Sequence, residues 1–174
     1  DRVAFSGASN PTRRRWLNTD RPVVLGRLIG REVVRLLAAH PGLSPNDVVF
    51  LCEQHRDGID AVHVIEDAGH AVHHIFSENK NEQQRRKQRF WPDAPGVKGC
   101  TVHSFKGWET RVLVMGIRAD AGSKRLAYVA MTRLKTDSAG GQSFISILNS
   151  NLKIAPFQST FEHWAVPQAS SRVG

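Results

Sequence analysis

No GxxxxGKS or GxxxxGKT string occurs in the chain, so it has no phosphate loop of its own to cradle a triphosphate. No apolar run approaches the ~20 residues needed to span a bilayer, which predicts no membrane partner. The first residues, DRVAFSGASNPTRRRW, lack the apolar segment of a secretory signal. Cysteine is scarce. Cys52 and Cys100 both fall inside predicted strands, a pattern of buried free thiols in a cytoplasmic protein rather than of a disulfide. Acidic residues are few and poorly placed for metal binding. Ile65-Glu66-Asp67 is the one acidic pair after apolar residues, and it sits late in a predicted helix instead of at a strand end. Magnesium ligands and a base to position water are therefore expected on another domain or chain. The chain begins with Asp1 rather than Met, which points to an excerpt of something longer.

What is present is a chain of 174 residues, enough for one domain with a real core, and a formal charge of +8. That charge favours an anionic partner through phosphate neutralisation and counterion release, with a solvated basic surface as the alternative.

Residues 1–16 are polar and read as an irregular lead-in. From Pro22 onward Leu25, Leu28, Ile29, Val33, Leu36 and Leu37 recur at helical spacing, and His40-Pro41-Gly42 ends that helix. Asp47–Cys52 is a short β-branched apolar run, the signature of a strand buried on both faces. A helix over Asp57–Ala68 ends at Gly69, and a strand follows at Ala71–Phe76. Asn79–Phe90 is a polar, basic helix broken by Pro92, Pro95 and Gly96. Strands at Val97–Thr101 and Arg111–Ile117, a helix at Ser123–Leu134 and a last strand at Ser143–Leu148 complete the body. Strand and helix alternating at this spacing predict an α/β fold: a mainly parallel sheet with helices on both faces. The tail, 151–174, carries Phe157, Phe161 and Trp164 and is expected to pack in part onto the body.

Two strings carry candidate chemistry. TVHSFKGWE at Thr101–Glu109 leaves a strand, and Thr101, His103, Ser104 and Lys106 offer donors to phosphates or a sugar. Gly107 permits close backbone approach, and Glu109 offers an acceptor suited to ribose hydroxyls. The plain alternative is a polar loop with a turn glycine. RLAYVAMTR at Arg125–Arg133 reads as a buried helix with Arg133 in its last turn. There the arginine either complements the helix dipole or stabilises a transferring phosphoryl group. A third feature is the run Arg85, Arg86, Lys87 and Arg89 beside Phe90 and Trp91, which suits a single-strand path by charge and stacking, or else a solvated helix face. His73 and His74 are adjacent in a predicted strand and point to opposite faces, so no metal site is expected from them.

Taken together and in this order, TVHSFKGWE and RLAYVAMTR resemble motifs V and VI of superfamily-1 DNA helicases of the UvrD/Rep type. Those motifs belong to the second of two RecA-like motor domains, which closes over a nucleotide held by the first. The resemblance covers about residues 17–150 and is specific at those two strings. It implies a single RecA-like domain, of the P-loop NTPase type but without its own phosphate loop. Glu109 would touch the ribose of ATP with Gly107 beside it, and Arg133 would be the motif VI arginine at the γ-phosphate. Thr101, His103 and Ser104 would lie on the single-stranded DNA side. LNTDRP at Leu17–Pro22 is similar to motif IV, which makes Arg21 a candidate second γ-phosphate arginine. Asp20 departs from that pattern, because the family has there a tyrosine that stacks on adenine. Between Gly58 and Val97 there is room for only two helices and a strand, so the large DNA-binding insertion of many relatives is missing or reduced.

The resemblance thus implies the second motor domain of an ATP-dependent helicase, using ATP with Mg held mainly by an N-terminal RecA-like ATPase domain and inactive alone. The alternative is a nucleic-acid-binding or interaction module that keeps the fold without the chemistry.

Overall fold

The computed structural model describes residues 12–91, 93–105, 107–118, 128, 132–135 and 142–163. Among the described residues six strands form one sheet: β1 (Arg13–Asn18), β2 (Val48–Cys52), β3 (Val72–His74), β4 (Val97–Thr101), β5 (Val112–Ile117) and β6 (Phe144–Asn149). Their order is β1-β6-β5-β2-β4-β3, and every pair is parallel. The central strands β2, β5 and β6 are buried at every residue, as expected where both faces are covered.

Registers assign the faces. Phe50 pairs with Gly99 and Val114, and Val114 with Ser146, so these residues share one face of the sheet. Helices α1 (Leu25–Ala39) and α2 (His55–Asp67) cover it. Leu25, Ile29, Val33 and Leu36 of α1 are buried at the predicted helical spacing, each contributing roughly 1.5–3 kcal/mol. The two helices approach closely through Gly26 and Gly30, where an added Cβ would sit 2.4 Å from the Asp57 carbonyl oxygen and 2.7 Å from Val64 Cβ. Asp57, in the first turn of α2, is buried and receives a bidentate bond from Arg118 just beyond β5, at 2.6 and 2.5 Å.

The lead-in differs from expectation. Arg13–Asn18 is not irregular but the edge strand β1, paired residue for residue with Phe144–Asn149. Its arginines hide the pattern. Arg15 faces α1 and donates to Glu32 at 2.9 Å, while Trp16 points to the other face and packs on Phe157 and Phe161 of α4 (Phe157–His163). That contact places part of the tail on the body; Trp164 lies outside the described residues. Arginines along an edge also discourage pairing with another chain.

Glu32 is only 4% exposed and accepts from Arg15, from Arg35 at 2.7 and 2.8 Å and from Ser146 at 2.7 Å. Burial pushes its pKa up, but the bonds from Arg35 and Ser146 and the charges of Arg35 and Arg15 outweigh it and hold the carboxyl below its ordinary value. Removing Glu32 leaves the Ser146 hydroxyl buried without its acceptor and Arg15 and Arg35, both 42% exposed, without their carboxylate, so Glu32→Ala should cost about 1–3 kcal/mol in urea unfolding at neutral pH. A loss below about 0.5 kcal/mol would assign Glu32 to the class of surface pairs that contribute little.

Candidate functional site

A parallel sheet obliges the chain to travel the length of a strand between β4 and β5, because both run the same way. TVHSFKGWE makes that journey. Its start and its end therefore lie at opposite ends of the sheet, about 17 Å apart for a six-residue strand.

Thr101, His103 and Ser104 lie at the carboxyl end of β4. The Thr101 and Ser104 hydroxyls are 3.0 Å apart, and the Ser104 and Phe105 N–H groups both bond the Thr101 carbonyl, so these two side chains chiefly close a turn. His103 is exposed. Val102 and Phe105 are buried and pin the loop to the body. Lys106 lies outside the described residues. Gly107 adopts φ +91°, which a side chain would strain, whereas an added Cβ there meets nothing within 4 Å. Backbone conformation, rather than crowding, is what calls for glycine.

Glu109 and Thr110 arrive at the amino end of β5. Thr110 forms a parallel bridge with Leu134: its N–H bonds the Arg133 carbonyl at 3.0 Å, and its own carbonyl accepts from Lys135 N–H at 2.7 Å. The Thr110 hydroxyl donates to the Asp47 carbonyl, fixing the same point to the start of β2. Glu109 and Arg133, far apart in sequence, are thereby brought together at the amino end of β5. Glu109 is exposed. Arg133 is half-buried, and its Nε is buried with no hydrogen-bond partner among the described residues. A buried guanidinium nitrogen left without a partner is uncommon and calls for an explanation. Of the predicted motif VI helix, Tyr128 is helical and its carbonyl accepts from Thr132 N–H at 3.1 Å; most of the rest lies outside the described residues.

A cleft of about 370 Å³ opens at this edge, among the amino ends of β2, β4 and β5. Lys98, Val49, Phe105, Trp108, Glu109 and Lys135 are among the residues that line it, and most of its lining is polar or charged. Lys98 is 4% exposed and donates from Nζ to the Asn46 carbonyl; burial lowers its pKa, opposed by the charges of Asp47 and Asp93.

Arg21 follows the carboxyl end of β1, where Thr19 N–H bonds Asn149. The structure does not bring it beside Glu109 and Arg133, which sit at the other end of the sheet.

The basic helix α3 (Lys80–Arg89) is capped by Asn79 and buries no residue at all. Polar contacts hold it instead. Arg86 bridges Glu82 at 2.9 Å and the His74 ring at 2.7 Å, Gln83 donates to the Ser77 carbonyl, and His73 meets the Arg89 carbonyl. Arg86 is thus an anchor, while Arg85 and Lys87 are exposed. Lys87 lies close enough to His55, at the start of α2, to help lower its pKa after burial has done so. His73 and His74 face opposite sides of the sheet, as the strand alternation predicts, through their pairing with Lys98 and Gly99. His73, Phe90 and Trp108 stack in near-parallel steps of 5.2 and 5.0 Å, a contact among distant residues that sequence periodicity does not signal.

No protein-family profile matches the chain, and no curated protein does. Solved structures do. One is the C-terminal domain of a possible DNA helicase from Lactobacillus plantarum WCFS1, with a TM-score of 0.53 and 14% identity over 88% of this chain and 81% of that one. Another is the C-terminal domain of S. cerevisiae Dbp5 bound to Gle1 and IP6, with a TM-score of 0.53 and 11% identity over 91% and 90%. The fold is that of helicase C-terminal RecA-like domains. Among the described residues, no helix is long and apolar enough to cross a membrane.

Burial, together with the Arg86 charge and smaller contributions from His73 and His63, pulls the His74 pKa from 6.5 to about 4. The unfolded chain binds the proton at higher pH than the folded one, so this stability is complete above about pH 6.5 and is lost as pH falls toward 4. Melting curves should therefore show the gap between wild type and His74→Gln narrowing over that range. A gap independent of pH would remove His74 from the acid response.

Proposed function

We propose that the chain is the second motor domain of an ATP-dependent DNA helicase or translocase of the UvrD/Rep type. An N-terminal RecA-like domain supplies the phosphate loop, the magnesium ligands and the water-positioning base. The observation that carries this reading is the joining of Glu109 and Arg133 at the amino end of β5 by the Thr110 bridge, with the Arg133 Nε buried and without a hydrogen-bond partner among the described residues. In the closed cleft Arg133 would stabilise charge on the transferring γ-phosphoryl group, and Glu109 would hold the ribose. Arg21 stands apart from that pair and is not assigned to it.

The opposite end of the sheet suits nucleic acid. His103 is exposed at the carboxyl end of β4, and Arg85 and Lys87 are exposed on α3. Opening and closing of the interdomain cleft would then change the grip on single-stranded DNA.

In the intact protein, Arg133→Ala should lower ATP turnover by at least ~10³-fold with a much smaller loss of ATP binding, whereas Glu109→Ala should mainly raise KM. Normal turnover in Arg133→Ala with a lower Tm would show that the residue merely complements a helix dipole.

Binding of the 174-residue chain to single-stranded DNA should be micromolar or weaker and strongly salt-dependent. Changing Arg85 and Lys87 together to Gln should reduce the log–log salt slope by roughly 1.4, at about 0.7 per phosphate contact. Arg86→Gln should lower stability and leave the slope nearly unchanged. An equal loss of slope in both variants would contradict the anchoring role of Arg86.

A further inference from the structure

We infer that the groove between α1 and the outer edge of β1 takes an extended, acidic peptide segment of a partner protein, added beside β1 as a further strand. The inference goes beyond the motor-domain reading and does not depend on it. β1 is the first strand in the sheet order, so only one of its sides is paired among the described residues. Arg13 N–H bonds the Ser143 carbonyl and Thr19 N–H the Asn149 carbonyl, both toward β6. Backbone groups of successive strand residues point to alternate sides. Those of Trp16 and Asn18 therefore point away from β6, where no strand meets them among the described residues. A row of N–H and C=O groups on a strand edge is a template for pairing, and extended peptides use it.

The lining of the groove decides the chemistry of its occupant. A cavity of about 420 Å³ lies between the two elements. Leu17, Leu28 and Leu148 give it apolar surface, and Arg15, Arg31 and Arg35 give it charge. Register and helical spacing explain the grouping. Leu17 is the partner of Leu148 in the β1–β6 ladder, while Leu28, Arg31 and Arg35 recur along one face of α1. The one carboxylate in the lining, Glu32, is 4% exposed and already accepts from Arg15 and Arg35. Those bonds hold the two guanidiniums in place and leave each with N–H donors to spare. Arg31 is exposed and has no ion pair among the described residues. Positive charge is thus in excess beside apolar surface. A segment whose carboxylates flank an aliphatic side chain complements both. A second copy of β1 does not, because its arginines would meet these ones. Nucleic acid would satisfy the arginines but bring nothing to the leucines or to the strand edge.

The test is an amide-shift titration of the 15N-labelled 174-residue chain with a blocked peptide of six residues, the length of β1, carrying Glu, Leu and Glu at alternate positions and Ser elsewhere. Shifts should concentrate at Trp16–Asn18 and Leu28–Arg35. Arg31→Glu should weaken the peptide at least ~tenfold without lowering Tm, because Arg31 has no ion pair to lose among the described residues. A peptide with Lys in place of Glu should produce no shifts there. Silence of either segment with the Glu peptide at millimolar concentration, equal shifts with the Lys peptide, or undiminished affinity in Arg31→Glu would overturn the proposal. So would oligothymidylate that shifts Leu28–Arg35 in the wild type and not in Arg31→Glu, which would make the groove a nucleic-acid site. The motor-domain reading stands or falls separately, on the turnover of Arg133→Ala.

Discussion

Two backbone hydrogen bonds at Thr110 determine what the rest of the site can be. They join the end of the TVHSFKGWE loop to residues 133–135, and the Thr110 hydroxyl ties the same point to the start of β2. Without them Glu109 would be an exposed carboxylate on a long loop, and Arg133 a cation after a helix. With them the two residues are held at the amino end of β5 on a rigid sheet, and site geometry is better held on such elements than on loops.

The second constraint is that all strand pairs are parallel. Each connection must cross the sheet, so the loop after β4 carries its histidine to one end and its glutamate to the other. A domain built this way presents two ends for two ligands, linked by a packed interior. The stack of His73, Phe90 and Trp108 adds a direct path from the last residues of the basic helix to the turn before Glu109. In the proposed motor domain that stack lies between the nucleic-acid side and the nucleotide side.

Much of the fold was legible because its signals are local. The β-branched runs at Asp47–Cys52 and Arg111–Ile117, the helical spacing from Leu25 to Leu37 and the terminators at Gly69 and Pro92 each need only a few neighbouring residues to be read. β1 was not legible, because arginines at an edge strand erase apolar alternation and its partner β6 lies more than a hundred residues away. The proximity of Glu109 and Arg133 was expected only through family resemblance; no periodicity encodes a bridge between positions 110 and 134. The commitment of Arg86 to His74 and Glu82 was also hidden, since a run of cations looks uniform until tertiary contacts separate the anchor from its exposed neighbours. The split of Arg21 from Arg133 follows from strand direction, which becomes visible only when the registers are known.

In the proposed motor domain the nucleotide meets the sheet at the amino ends of β2, β4 and β5. Backbone amide shifts of the 15N-labelled chain titrated with ATP would test it most directly. The account predicts shifts concentrated at Glu109–Arg111 and Arg133–Lys135, with smaller changes along β4 near Lys98. Shifts confined to the carboxyl ends, around Arg21 and His103, with Glu109–Arg111 silent, would contradict it.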